Sequence, residues 1–162
     1  MSRVSKHNYY LDIAQTVAER CTCLRKKFGA IIVKDDVIVS TGYNGAPRGR
    51  ENCSDLQYCM RDKLNIPRGE RYEMCRSVHA EANAIIAAAR ERMLGATLYM
   101  VCVEPRDGSL VPGTSSCMMC KRLIINAGIS TVVIRDTAEE FRIIPVEEWI
   151  KNDDSLSGIF GY

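Results

Sequence analysis

The sequence predicts an α/β protein with three layers, α/β/α, around a mixed central sheet. Two apolar strand segments in the first half flank a tight turn, which indicates an antiparallel hairpin. A strand, a helix and another strand follow one another in the second half, which indicates a right-handed parallel crossover. The chain of 162 residues is long enough for one substantial core, so we expect residues 1–162 to form a single domain.

The first half begins with a helix and the hairpin. In residues 8–21, apolar side chains recur at helical spacing. Residues 28–45, FGAIIVKDDVIVSTGYNG, contain two strands joined by a turn at Asp35 and Asp36. Residues 44–76 then show little apolar periodicity, and loops of this length are uncommon inside a compact domain. We therefore expect something other than a core to hold this cysteine-rich insert.

The second half alternates helices and strands. Ser77 is suited to cap a helix that starts at Val78 and continues through an alanine-rich run to Arg90. A later helix ends at Gly128, a residue type that commonly stops helices. The remaining predicted elements are a strand at 96–103, the helix at 117–128, a strand at 130–136 and a short amphipathic turn at 146–152.

Composition narrows the class of protein. Hydrophobic residues make up 46% and charged residues 26% of the chain, as in ordinary globular proteins. The net charge of +2 argues against a stable nucleic-acid partner, which would require a basic face. No apolar run approaches the roughly 20 residues that span a bilayer, and the first ten residues lack an apolar signal core. We expect a cytoplasmic protein without a membrane partner.

Cysteine is the unusual feature of the composition. In a reducing compartment, clustered cysteines indicate metal binding or catalysis rather than disulfides. Cys117 and Cys120 are three apart at the start of a predicted helix, where they share a face and the helix dipole favours thiolates. With His79 they offer three zinc ligands and an open fourth position, as in catalytic zinc sites. The eight cysteines are Cys21, Cys23, Cys53, Cys59, Cys75, Cys102, Cys117 and Cys120.

Glu81 lies two residues after His79. Residues two apart on a helix do not share a face, so Glu81 is poorly placed as a fourth ligand. Its carboxylate can instead take a proton from a metal-bound water. The upstream H-x-E pattern also favours a metal site over the alternative that Cys117 and Cys120 are a redox pair.

These residues resemble a known family. HAEANAI followed by CMMC is similar to the zinc-dependent cytidine and deoxycytidylate deaminase superfamily. The segments FGAIIV, STGYNGAPRG and LIINAG occur in the expected order, and TGYNGAPRG resembles the deoxycytidylate (dCMP) deaminase branch, including bacterial competence-operon relatives. The resemblance covers roughly residues 8–135 and implies a cytidine-deaminase-like fold and hydrolysis of dCMP to dUMP and ammonia, a precursor supply for dTMP.

The resemblance also implies roles for individual residues. His79, Cys117 and Cys120 would bind a catalytic zinc ion, and Glu81 would carry protons while water attacks C4 of cytosine. Further contacts are implied as well. Asn44 would contact the sugar, the Ala80 amide the pyrimidine, and Ser116 the substrate. Gly45 and Arg48 would contact a dCTP or dTTP effector. Relatives are homo-oligomers, so we expect a dimer to a hexamer.

Two features depart from the family pattern. Ser116 occupies the position of a proline before the first cysteine of the pair, and the loop 104–115 is longer than the compact family version. Arg25, Lys26 and Lys27 form a basic run that is either a phosphate contact or a solvated surface.

A second zinc ion is expected in the insert. Four thiolates around a structural zinc would hold this segment together, and several dCMP deaminases carry an additional zinc there. The resemblance selects Cys23 as the fourth ligand, with Cys21 as the alternative. The expected ligands are Cys23, Cys53, Cys59 and Cys75.

Other functions remain open at this point. The chain could deaminate another cytosine nucleoside or nucleotide, or a tRNA adenosine. It could also be a non-catalytic, zinc-stabilised interaction module. Glu81 favours an enzyme, because catalytically dead relatives often lose this residue.

Overall fold

Five strands form one mixed sheet in this computed structural model, which describes residues 2–158. Residues 1 and 159–162 of the expected domain lie outside the description. The strands are Lys27–Lys34 (β1), Val37–Tyr43 (β2), Thr97–Val103 (β3), Thr131–Arg135 (β4) and Phe141–Pro145 (β5). The helices are Lys6–Ala18 (α1), Cys53–Leu56 (α2), Met60–Lys63 (α3), Ala80–Ile86 (α4), Arg90–Met93 (α5), Met118–Ala127 (α6) and Val146–Lys151 (α7), with 3₁₀ turns at Tyr72–Met74 and Asp154–Leu156.

The sheet has the strand order β2-β1-β3-β4-β5. β1 pairs antiparallel with both β2 and β3, β3 pairs parallel with β4, and β4 pairs antiparallel with β5. At the hairpin turn, Asp35 and Asp36 have φ values of 50° and 62°, the left-handed conformation of a tight two-residue turn. The predicted fold class, with its hairpin and its parallel crossover, is confirmed.

Both faces of the sheet are covered, because successive side chains of a strand point to opposite faces. Ala30 and Ile32 of β1 belong to a core that also includes buried residues of α4 and α6. Ile31 and Val33 belong to a second core with α1. The near-continuous burial of β1 and β3 reflects this three-layer arrangement. No helix among residues 2–158 has the length and apolar character needed to cross a membrane.

The predicted start of the alanine-rich helix was wrong. Val78 is held in an extended pairing with Gly45, through N–H···O hydrogen bonds of 2.8 and 3.2 Å. α4 therefore begins at Ala80 with His79 as its N-cap, and Ser77 is not the cap. The helix also ends at Ile86 rather than at Arg90, which begins the separate helix α5.

The edge strand β5 was not predicted from the sequence. Its residues are half-buried or exposed and it ends at Pro145. Such a segment lacks the apolar signal of a central strand, and proline is tolerated in a sheet mainly at edges and strand ends.

Two glycines let helices approach the sheet closely. A Cβ atom added to Gly42 of β2 would lie 2.3 Å from the carbonyl oxygen of Ala80 and 2.4 Å from the amide of Ala84. A Cβ atom on Gly29 of β1 would lie 2.1 Å from the carbonyl oxygen of Ala14. These backbone contacts fix the depth at which α4 and α1 rest on the sheet.

Replacing Gly42 by alanine should therefore destabilise the fold. The new methyl group must displace the backbone of α4, so we expect the free energy of unfolding in urea to fall by about 3 kcal/mol. Gly49→Ala is the control: Gly49 has φ +88° and open space around it, so only a backbone cost of about 1–2 kcal/mol applies. A Gly42→Ala loss no larger than that of the control would contradict this packing argument.

Candidate active site and metal centre

The three predicted zinc ligands meet where two helices begin. His79 is the N-cap of α4, Cys117 is the N-cap of α6, and Cys120 lies in the first turn of α6. Nδ1 of His79 is 3.4 Å from the Sγ atom of each cysteine. Within residues 2–158, this metal triad is the one set of three or more histidine, cysteine or acidic side chains whose ligand atoms all lie within 4.8 Å of one another.

The triad fits a tetrahedral zinc ion. Zn–N bonds of about 2.0–2.1 Å and Zn–S bonds of about 2.3 Å place nitrogen and sulfur about 3.6 Å apart at the tetrahedral angle. The observed separations of 3.4 Å are close to this value. Three protein ligands leave a fourth position, as in catalytic rather than structural zinc sites.

The crossover between β3 and β4 places the two cysteines. Helix α6 packs against α4 and buries Cys120, Ile124 and Ala127 on the side that faces the core. It ends at Gly128, whose φ of 79° provides the left-handed stop predicted from the sequence. The packing of α6 therefore sets the position of both thiols.

The triad shares protons among its members. Hydrogen bonding from the Cys120 thiol lowers the pKa of Cys117 although burial opposes this, and His79 lowers it further. The adjacent Cys117 thiolate, followed by burial, raises the pKa of Cys120. Burial lowers the pKa of His79, but hydrogen bonds to Cys117 and Cys75 and the charge of Glu81 outweigh it and raise the value to about 10. The metal-free triad thus pairs one thiolate with an imidazolium.

Glu81 is buried beside the triad. It is the second residue of α4, has 4% of its surface exposed and lines the same cavity as His79 and Cys117. Burial raises the pKa of its carboxyl group, and the nearby His79 charge opposes that shift. Glu81 is not in the set of mutually close ligand atoms, and its carboxyl group lies within hydrogen-bonding reach of the Cys120 thiol.

The active-site cavity opens next to Glu81 and the triad and has a volume of about 220 Å³. Two predicted substrate contacts, Asn44 and Ala80, line it, whereas Ser116 is fully buried and is not a lining residue. Gly45 and Arg48 also lie outside the lining. The lining residues are Cys23, Arg25, Lys26, Phe28, Asn44, Cys59, Arg61, Arg68, Tyr72, Cys75, Ser77, His79, Ala80, Glu81, Thr114, Ser115 and Cys117.

The longer loop before α6 borders the cavity through Thr114 and Ser115. Two residues from the β4–β5 edge hold this loop. Arg142 donates a hydrogen bond of 2.6 Å to the carbonyl oxygen of Thr114, and Asp136 accepts one of 2.7 Å from the amide of Gly113. Arg142 belongs to the unpredicted strand β5, and Asp136 lies at the end of the predicted strand 130–136, where nothing in the sequence marks it as a contact of a distant loop.

An aromatic residue of the insert also contacts the triad. The ring of Tyr72 meets the His79 ring edge-on, with centroids 5.1 Å apart. The guanidinium of Arg61 lies 4.3 Å from the centre of the Tyr72 ring. Arg61 is itself 4% exposed and donates hydrogen bonds to the carbonyl oxygens of Pro67 and Glu70. No spacing signal in the sequence marks these residues as part of the site.

The insert cysteines lie within electrostatic reach of one another. Burial raises the pKa of Cys53, and Cys23, Cys75 and Cys59 raise it further, in that order. Within residues 2–158, no three of these four sulfur atoms all lie within 4.8 Å of one another, as the ligand atoms of the triad do. The alternative ligand Cys21 points elsewhere, since its Sγ atom lies 2.6 Å from Oδ1 of Asn44.

Zinc binding to the triad should weaken as the pH falls. The raised pKa values of His79 and Cys120 mean that zinc displaces protons from both, so affinity should change by up to about 100-fold per pH unit near neutrality. Competition with a chromophoric chelator across neutral pH measures this slope. Cys102→Ser, at a buried cysteine outside the triad, should keep the slope, and an affinity independent of pH would contradict the shared-proton description.

Comparison with known proteins agrees with this geometry. Residues 4–136 match the family model for the cytidine and deoxycytidylate deaminase zinc-binding region. A deoxycytidylate deaminase of Mycobacterium phage D29 is 41% identical over 138 residues, which are 82% of this chain and 96% of the phage protein. ComE operon protein 2 of Bacillus subtilis is 32% identical over 146 residues, 90% of this chain and 65% of that protein.

The chain covers less than half the length of two yeast deoxycytidylate deaminases. Among solved structures, the dCMP deaminase from the cyanophage S-TIM5, in complex with dCMP and dUMP, is 26% identical. It has a TM-score of 0.56 and covers 83% of this chain and 84% of its own. The resemblance inferred from the motifs is confirmed, and the chain belongs to the cytidine and deoxycytidylate deaminase family.

Proposed function

We propose that this protein is a zinc-dependent hydrolase that converts dCMP to dUMP and ammonia. The observation that carries the proposal is the cavity in which Glu81 and the metal triad meet. The deoxycytidylate deaminase relatives and the dCMP-bound structural neighbour support the same substrate. dUMP would in turn supply a methyl-transfer reaction that forms dTMP.

The chemistry follows from the positions of these residues. His79, Cys117 and Cys120 would hold the zinc ion, which would act as a Lewis acid towards a water molecule. Glu81 accepts the proton of that water as its oxygen bonds to C4 of cytosine, and returns a proton to N3. Glu81 then carries the proton of the new C4 hydroxyl group to the exocyclic amine, the C4–N bond breaks as the C4 carbonyl forms, and ammonia leaves.

The cavity lining favours an anionic substrate. Four of its side chains are cationic, whereas Glu81 is the one carboxylate among the lining residues that the structure describes. Two of these cations pair with carboxylates outside the lining, Lys26 with Glu104 at 2.9 Å and Arg25 with Asp62 at 3.1 Å. An excess of positive charge attracts the phosphate of a nucleotide over an uncharged nucleoside.

The remaining residue roles are part of the proposal. The Asn44 amide binds the sugar, and the backbone amide of Ala80 meets the polar edge of the pyrimidine. Ser116 acts behind the cavity wall, near the Glu81 carboxylate, rather than on the substrate itself. Gly45 and exposed Arg48 contact a dCTP or dTTP effector.

The setting of the enzyme is proposed as well. We place it in the cytoplasm as one domain that assembles into a homo-oligomer, from dimer to hexamer. Exposed apolar side chains such as Ile86 and Ile150, which have 75% and 57% of their surface accessible, support association between copies.

A structural zinc in the insert completes the proposal. Cys23, Cys53, Cys59 and Cys75 are its ligands, and their electrostatic proximity supports this set. Cys23 takes the fourth position because the Cys21 thiol contacts Asn44. Closure of the four thiolates around one ion would tie the insert to the turn before β1.

The substrate is tested by ammonia release from dCMP, CMP, deoxycytidine and dCTP, each offered to zinc-loaded protein. We expect turnover of dCMP, and a loss of about 100- to 10,000-fold in Glu81→Gln because the proton carrier is removed. Glu91→Gln, at an exposed carboxylate of α5, is the matched control. Turnover of deoxycytidine alone would contradict phosphate recognition. If none of the four compounds releases ammonia, even when dCTP is added to dCMP as an activator, the proposed function is contradicted.

The second zinc is tested by metal stoichiometry. Cys53→Ser should lower the zinc content by one ion per chain, because the insert loses a ligand, and should lower the melting temperature. Cys102→Ser is the matched control, since Cys102 is also buried but lies in β3. Unchanged zinc content in Cys53→Ser would contradict the structural site.

A further inference from the structure

The side chain of Asn44 is held by a single turn of the chain, residues 21–28. Its Oδ1 atom accepts hydrogen bonds from the amide of Phe28 at 2.8 Å and from the thiol of Cys21 at 2.6 Å. Its Nδ2 atom donates to the carbonyl oxygen of Lys26 at 3.0 Å. The backbone carbonyl oxygen of Asn44 accepts from the amide of Thr22 at 3.3 Å.

These contacts determine which way the amide of Asn44 faces. A backbone N–H can only donate and a backbone carbonyl can only accept, so Phe28 and Lys26 exclude the flipped orientation. An asparagine amide has two acceptor positions and two N–H donors. Both acceptor positions and one donor are taken by the turn, and Asn44 lines the active-site cavity. The remaining group is the second N–H of Nδ2.

The thiol of Cys21 is the hydrogen-bond donor in its contact with Asn44. Cys21 is 6% exposed, and its Sγ atom accepts a hydrogen bond from the amide of Cys23 at 3.4 Å. An amide oxygen can only accept a hydrogen bond, so the contact between Sγ and Oδ1 of Asn44 requires the thiol proton. Without this S–H group, Phe28 and Lys26 would still prevent a flip of the amide, but the second acceptor position of Oδ1 would be left unsatisfied and open to water or to a substrate hydroxyl.

We propose that Cys21 is a positioning residue that fixes the Asn44 amide so that Asn44 presents only an N–H donor to the sugar of the substrate. The sugar of dCMP carries one free hydroxyl group, at the 3′ position, so this N–H would donate to the 3′ oxygen. Cys21 thereby contributes to recognition of the sugar without contacting it. The inference rests on the proposed function, because it takes dCMP as the ligand.

The test compares dCMP with 2′,3′-dideoxycytidine monophosphate, which lacks the 3′ hydroxyl. In zinc-loaded Cys21→Ala we expect kcat/KM for dCMP to fall about tenfold, mainly through KM, as for the loss of one well-placed hydrogen bond. The dideoxy substrate, which cannot use that bond, should lose little. Cys21→Ser restores a donor and should restore the preference for dCMP, with both variants checked by thermal melting.

A control variant distinguishes the positioning role of Cys21 from a general loss of packing. Cys102→Ala truncates a fully buried cysteine in β3 and should leave the ratio between the two substrates unchanged. An equal loss on both substrates in Cys21→Ala, or no rescue by Cys21→Ser, would show a merely structural role and overturn the inference.

The inference can also be tested apart from the reaction. If wild-type protein does not turn over dCMP, the proposed function fails, and calorimetric binding of dUMP and of its 2′,3′-dideoxy analogue to the same four proteins provides the readout. A preference for dUMP that is lost in Cys21→Ala and kept in Cys21→Ser supports the positioning role. The absence of any such preference in the wild-type protein overturns it.

Discussion

The backbone pairing of Gly45 with Val78 is the constraint on which the rest of the site depends. Its two hydrogen bonds hold Val78 extended, so the following helix can begin only at Ala80. His79 is left as the N-cap, with its ring outside the helix and free to face the cysteines of α6. Asn44 directly precedes Gly45, so the same pairing sets the distance between a metal ligand and a cavity-lining amide.

Close packing makes this arrangement rigid. Helix α4 rests on Gly42 of β2 at a distance that leaves no room for a side chain. Ser40 lies two residues before Gly42 on the same face of β2, and its hydroxyl donates a hydrogen bond of 2.7 Å to the carbonyl oxygen of Ala84. A catalytic group carried by such a helix has little freedom to move, which is the condition for preorganised chemistry.

Burial gives the assembled groups their chemical character. The Glu81 carboxyl is almost fully buried, and its raised pKa makes it a better proton acceptor than a solvated glutamate. The adjacent thiols divide their protons unequally because two thiolates cannot be close together without a cation between them. The buried Cys21 thiol faces the amide oxygen of Asn44, an acceptor, and therefore serves as a donor. One residue type thus provides a thiolate and a hydrogen-bond donor within the same site.

The sequence by itself determined the fold class, the three residues of the metal triad and the choice of Glu81 as the proposed proton carrier. These depend on local periodicity and on fixed spacings, such as the three-residue interval between Cys117 and Cys120, which are properties of neighbouring residues along the chain. Only the tertiary structure decided the start of α4, the edge strand β5 and the contact of the Cys21 thiol with Asn44. Each of these was decided by a partner distant in sequence: Gly45 for Val78, β4 for β5, and Asn44 for Cys21. Contacts of this kind leave no periodic trace in either partner, and for that physical reason they cannot be deduced from the chain alone.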